Sequence, residues 1–170
     1  MRGCTVIAFA LLLSGCVGFS RKPVEIYRPP VAVKPCAGAA SVALRVKSVG
    51  VLDTNRILYR QGGRYFYYER SIWFCEPACL VEEALKGALK VDDRASCELE
   101  VEILDFGPWA DGGAFGVELK VSETLKCPGG LRRKVFSYNS TLDEASLVKA
   151  SAELGRLLSK LIADTCSWFK

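Results

Sequence analysis

Hydrophobic and polar positions alternate along most of this chain, and twice the period lengthens from two residues to nearly four. Val42, Leu44 and Val46 alternate with Ala43, Arg45 and Lys47, which predicts a half-buried strand. Residues 56–60 and 64–70 are extended segments around Gln61-Gly62-Gly63, whose two glycines supply the positive φ of a tight hairpin turn. Glu76-Pro77 then opens a helix, because proline fits a first turn that needs no donor. In it Val81, Leu85 and Leu89 recur every four residues with Ala84 and Ala88 beside them. Glu82 and Lys86 form an i,i+4 pair on the far side, and Gly87 allows a neighbour to approach closely.

The sharpest alternation follows. Cys97, Leu99, Val101 and Ile103 are interleaved with Glu98, Glu100 and Glu102, while Phe115, Val117, Leu119 and Val121 are interleaved with Gly116, Glu118, Lys120 and Ser122. Asp111-Gly112-Gly113 turns the chain between them. Pairing symmetrically about Gly112 sets Leu99 opposite Leu125, Ile103 opposite Val121 and Cys97 opposite Cys127, which puts both cysteines on one face as a cross-strand disulfide requires. A slip of one residue would break that pairing. Pro128-Gly129-Gly130 makes another turn into a third strand, residues 132–138. Thr141-Leu142-Asp143-Glu144 has the form of a capping box with Thr141 as N-cap. The helix it predicts carries Leu147, Ala150, Leu154, Leu157, Leu158, Leu161 and Ile162 at helical spacing and runs to about Asp164. Strands, a helix, three antiparallel strands and a second helix, each with one apolar side, predict an α+β two-layer sandwich: a mostly antiparallel sheet with two helices packed on one face.

The N-terminal region stands apart from this pattern. A basic Met1-Arg2 and an apolar run from Thr5 to Leu13 close on Leu13-Ser14-Gly15-Cys16. The run is too short for a membrane span, which needs about 20 residues, and has the form of a secretion signal. Leu-Ser-Gly-Cys matches the bacterial lipobox, so residues 1–15 are expected to be removed and Cys16 to carry the acyl chains. Val17 is not an aspartate, which under an enterobacterial sorting rule favours the outer membrane over the inner. Residues 16–40 contain Pro23, Pro29, Pro30 and Pro35 and predict a semi-rigid tether, or else a strap on the domain held through Cys36. Residues 41–170 then form one periplasmic domain.

Composition narrows the function. The chain has 170 residues, half of them hydrophobic, and a net charge of +4 spread along its length, which gives no footprint for nucleic acid. Of eight cysteines, Cys4 leaves with the signal and Cys16 takes the lipid. Cys36, Cys75, Cys79, Cys97, Cys127 and Cys166 remain, an even set that an oxidising compartment would pair as disulfides. Six allow fifteen connectivities, of which the register singles out only Cys97 with Cys127. There is no histidine, so a zinc site would need cysteines alone, and the spacing Cys75-x-x-x-Cys79 is a weak match for one. No metal or cofactor is expected. No nucleophile motif or phosphate-binding loop is present, and Glu98, Glu100 and Glu102 fit a solvated, lysine-braced face better than a carboxylate site. The chain reads as a protein without catalytic activity.

What remains is the aromatic run Tyr65-Phe66-Tyr67-Tyr68. In a regular strand Tyr65, Tyr67 and Trp73 share one face, Phe66 and Tyr68 the other. Rings on both faces imply an edge strand wrapped by the tether or an exposed strip, and Tyr65 and Tyr67 are candidates for contact with a partner or a lipid.

With its lipobox, the early strand ending in Ile57-Leu58-Tyr59-Arg60, and Trp73 just before the helix of "CEPACLVEEALKGAL", the chain resembles the auxiliary lipoproteins of ABC-type lipid transporters, the PqiC-like, MCE-associated family. The six cysteines and the aromatic run depart from that family's pattern. The resemblance implies a non-catalytic periplasmic subunit accompanying an MCE-domain protein and an ABC permease that move phospholipid-like molecules between membranes. It adds Tyr59, Arg60 and Trp73 to the contact candidates, with a structural role expected for Trp73, and leaves room for a homo-oligomer. Two other roles fit the same outline: an LptE-like partner of a lipopolysaccharide pore, and a regulator docking on a cell-wall synthase.

Overall fold

The computed structural model describes residues 22–38 and 40–169, so Cys16 and the signal segment lie outside the described residues. A seven-stranded mixed sheet carries two helices on one face, an α+β fold. The strands are β1 (Glu25–Tyr27), β2 (Ala43–Ser48), β3 (Arg56–Gln61), β4 (Arg64–Trp73), β5 (Glu98–Asp111), β6 (Ala114–Cys127) and β7 (Gly130–Leu142). The helices are α1 (Pro77–Ala88) and α2 (Leu147–Trp168). The sheet order is β1-β4-β3-β5-β6-β7, with β2 paired to the first half of β5. The hairpin β3–β4 and the meander β5–β6–β7 are antiparallel as expected. Strands β1, β2 and β3 join their neighbours β4 and β5 in parallel.

The apolar stripes meet where the alternation directs them. Leu99, Val101, Ile103, Val117, Leu119 and Val121 face Leu80, Val81, Leu85, Leu154, Leu158 and Leu161, all buried. The opposite face of β2, β5, β6 and β7 is an ion lattice: Arg45–Glu98, Lys47–Glu100, Lys47–Glu102, Lys126–Glu100 and Arg133–Glu102. Lys47 and Lys126 donate to Glu100 at 2.8 and 2.9 Å and hold its carboxyl down at about 2. The expected solvated acidic face is what forms there.

The β5–β6 register matches the expectation at Leu99–Leu125 and Ile103–Val121, but by compensation. The turn is a two-residue one at Gly112-Gly113, not a single pivot at Gly112, and both glycines have positive φ. An irregularity between Ile103 and Asp105 then shifts the ladder by one, restoring the cysteine register. Cys97 and Cys127 are joined, with Cα atoms 4.3 Å apart. Cys36–Cys166 and Cys75–Cys79 are also disulfides, so all six of these cysteines are engaged.

Two boundaries differ from the sequence reading. Thr141 is not an N-cap: it lies in β7 opposite Gly116, because the β6–β7 ladder continues to Phe115–Leu142. Ser146 caps α2 instead, accepting from the Lys149 amide at 3.4 Å, and the helix continues four residues past Asp164. The proline-rich segment is also no free tether from Glu25 onward. It pairs with β4 as β1 and then crosses α1 and α2 as a strap. Val33 sits on Gly87 and Pro30 on Gly155, where a Cβ would come within 2.9 Å and 2.3 Å of the strap. The Ala32 amide donates to Ser159 Oγ and the Cys36 amide to the Ala88 carbonyl, each at 2.9 Å. The Cys36–Cys166 bond locks the end.

Candidate contact surface

The β3–β4 hairpin is set by Gly62 (φ 55°) and Gly63 (φ 76°), the two positive-φ residues of a twist-compatible tight turn. Its register is Leu58–Tyr67, Tyr59–Phe66 and Arg60–Tyr65. Tyr59 therefore points with Phe66 and Tyr68 to the helix side of the sheet, past the helices themselves. Its ring stacks on Phe66 (centroids 5.4 Å) and tilts against Tyr68 (5.1 Å). Arg60, Tyr65 and Tyr67 point to the helix-free face. Tyr65 is 38% and Tyr67 53% exposed, and the Arg56 guanidinium lies 4.7 Å from the Tyr67 ring centre.

Trp73 does not join them. Between the Arg56–Ile72 and Leu58–Tyr67 pairs, two steps along β3 face five along β4. The odd surplus reverses the alternation, so Trp73 turns into the core while Tyr67 turns out. Trp73 is 1% exposed and meets Phe106 edge-on at 5.7 Å, which removes it from the contact candidates and gives it the structural role expected of it. Tyr59 and Arg60 are half-buried. Of the alternatives for the aromatic run, the exposed strip is what forms at residues 65–67, while the strap pairs only with residues 71–73, beyond the run.

Arg60 is a hub, not a free cation. It pairs with Glu118 and, through Nε at 3.4 Å, with Asp105. Burial, and then the neighbouring Glu118, raise the Asp105 carboxyl above its ordinary value; burial and Asp105 raise the Tyr65 hydroxyl. Trp109 lies over Gly116, where a Cβ would come within 2.5 Å of the indole and 2.3 Å of the Ser140 carbonyl oxygen. This packs β5, β6 and β7 closely beside the crossing of β3 and β5 at Arg60–Trp109. The arrangement can hold rings rigidly toward a partner. Among the described residues it offers no paired nucleophile and base. Asp105, Glu118 and Trp109 were missed from sequence because their meeting with Arg60 depends on the β3–β5 crossover at Arg60–Trp109.

One buried ionisable group lies elsewhere. Glu123 is fully buried on the helix face of β6 and accepts from Thr165 Oγ1 at 2.7 Å. Its second oxygen has no hydrogen-bond partner among the described residues. Burial pushes its carboxyl up to about 7. Its position one alternation beyond Val121 is the signal that could have found it.

The fold recurs in solved proteins. The crystal structure of protein XCC0632 from Xanthomonas campestris, of family DUF330, superposes with a TM-score of 0.74 at 15% identity, covering 85% of this chain and 94% of that one. A second crystal structure, of an uncharacterized protein, gives 0.71 at 12% identity over 88% and 100% of the two chains. An uncharacterized protein of Aquifex aeolicus (strain VF5) is 24% identical over 160 residues, 94% of this chain and 84% of that protein. No family model matches the sequence. At these identities the likeness shows the α+β fold.

Proposed function

We propose that this chain is a non-catalytic periplasmic lipoprotein subunit, anchored through Cys16, that serves an MCE/ABC-type phospholipid transport system by protein–protein contact. The observation that carries the reading is the exposed pair Tyr65 and Tyr67 on a helix-free face, braced by Arg56 and by the Arg60–Asp105–Glu118 cluster. Aromatic rings held in place lose little entropy on binding, which suits a contact anchor. Three disulfides support an oxidising compartment outside the cytoplasm. The residues that resemble the transporter lipoproteins, Tyr59-Arg60 and Trp73, hold the hairpin and its root, so the family-like block builds the surface that presents the tyrosines.

The test is affinity capture from crosslinked envelope membranes, with Tyr65→Ala/Tyr67→Ala beside the parent chain. The parent is expected to recover MCE-domain and permease components. The double variant should lose them while its melting temperature falls by only a few degrees. Recovery of no transporter component by the parent overturns the assignment. Undiminished recovery by a strongly destabilised variant makes the rings core and moves the contact elsewhere.

A further inference from the structure

The helix-free face carries a second apolar patch, at the root of β4 and away from the hairpin tip. Strand β1 runs parallel to β4 with Ile26 opposite Ile72. Val24 and Ile26 therefore project to the same side as Ile72, the side opposite buried Trp73. Phe74 comes next after Trp73, its amide held by the Tyr27 carbonyl at 2.8 Å, and Arg28, ion-paired with Glu83 of α1 at 3.0 Å, lies 4.6 Å from the centre of its ring. Val24 is 57%, Ile26 64% and Phe74 52% exposed. An edge strand with such residues outward is a liability in water, and the fold has placed it where the chain arrives from Cys16. Only five residues, 17–21, and so six residue-to-residue steps, separate that cysteine from Lys22. At about 3.5 Å each they span roughly 20 Å at most.

We infer that this patch is a bilayer contact: Val24, Ile26 and Phe74 rest in the interfacial region of the membrane that holds the Cys16 acyl chains. The inference deepens the lipoprotein reading and rests on acylation at Cys16. Three observations favour a phospholipid surface as occupant. The leash is too short to hold β1 far from the headgroups. The pairing of β1 with β4 and the amide bonds of Ala32 and Cys36 to the helices keep residues 25–36 from lengthening it. The apolar groups are also flanked by the cation Lys22, which suits phosphate headgroups, while Arg28 is already paired with Glu83 of α1. The patch gives the domain a fixed attitude on the membrane, with the tyrosines of the hairpin left for the partner.

The test uses the acylated protein in phosphatidylethanolamine/phosphatidylglycerol vesicles with brominated acyl chains, which quench tryptophan on contact. Two single substitutions report position: Ile26→Trp on the patch and Phe66→Trp on the hairpin. Ile26→Trp should add an emission component quenched at least twofold more than the parent's. Phe66→Trp should add one quenched no more than the parent's. Mass spectrometry of Cys16 separates the two levels. If Cys16 is acylated and the component added by Ile26→Trp escapes quenching, the bilayer contact alone is overturned. Stronger quenching of the component added by Phe66→Trp has the same consequence. An unacylated Cys16 overturns the contact together with the lipoprotein reading. Strong quenching lost only when a purified partner protein is added supports the contact and shows that the partner competes for it.

Discussion

Two regions of one sheet treat the same alternating pattern in opposite ways. Across β2, β5 and β6 the apolar row lies under α1 and α2, and the polar row closes into ion pairs. Along β3 and β4 rings leave both faces, and from Tyr65 to Tyr67 they stay exposed among the described residues. Alternation says which side chains share a face; what lies on that face is decided by elements far away in sequence. Within β4 the contrast runs from a half-exposed Tyr67 to a sealed Trp73, because an irregular step reverses the phase between them. Exposure here follows from topology, and each level of it carries a measurable consequence for stability.

The largest effect is expected from the bond that completes the cover. Cys36–Cys166 closes a loop with a sequence separation of 130, against 4 for Cys75–Cys79. Chain entropy assigns the first about 5 kcal/mol and the second about 2 kcal/mol. Urea unfolding of Cys36→Ser/Cys166→Ser and of Cys75→Ser/Cys79→Ser should show that ranking, and equal losses would mean the strap adds no constraint of its own. Next comes the pair within β4. Trp73→Ala should cost about 3–5 kcal/mol through lost burial and a cavity, whereas Tyr67→Ala should cost under about 1 kcal/mol. Comparable losses would show that Tyr67 is covered in solution.

A third effect lies inside the covered half and depends on pH. Glu123 has a folded pKa of about 7 against an ordinary 4.5, so the folded state holds its proton where the unfolded chain releases it. Stability from this group is fully present below pH 4.5 and is lost as pH rises through about 7, a change of about 3 kcal/mol from 2.5 units. Glu123→Gln should remove that slope: equal stability at about pH 4.5, and a higher melting temperature than the parent at about pH 8. A parent curve flat between about pH 5 and 8 would mean that water or Lys134 relieves the buried charge.

The legible part of the fold was whatever local pattern decides. The stripes of α1 and α2, the hairpin turn at Gly62-Gly63 and the acidic face follow from periods and turn residues, whereas the Cys97–Cys127 bond also needs the irregularity between Ile103 and Asp105 that offsets the two-residue turn. What was not legible depends on distant partners. Thr141 has the chemistry of a cap, yet the β6 ladder reaches it first. The proline-rich segment has the composition of a tether, yet Gly87 and Gly155 leave room for it on the helices. The sequence reading takes only Gly87 as a place of close approach, although Gly155 interrupts α2 in the same way. Of the contact candidates, Tyr65 and Tyr67 are outward, Arg60 is spent on two carboxylates, and Trp73 is inside. No period of the sequence records the odd surplus in β4 that divides them.

The smallest effect tests the ion lattice, and its smallness is the point. Glu100 sits at about 2 because Lys47 and Lys126 both donate to it, so its contribution is present above pH 4.5 and lost as pH falls through 2. Taken at face value, such a shift would make this carboxylate as important as Glu123. The pairs are open to water and salt, however, and exposed ion pairs contribute between nothing and about 1 kcal/mol. Glu100→Gln should therefore lower stability at about pH 7 by less than about 1 kcal/mol, and about 1 M salt should erase most of the difference, since screening then acts over about 3 Å. Acid titration of parent and variant, each with and without salt, checks both statements. A loss near that of Trp73→Ala, unmoved by salt, would mean the lattice holds the sheet together as the core does. The two faces of β5 would then no longer differ in kind.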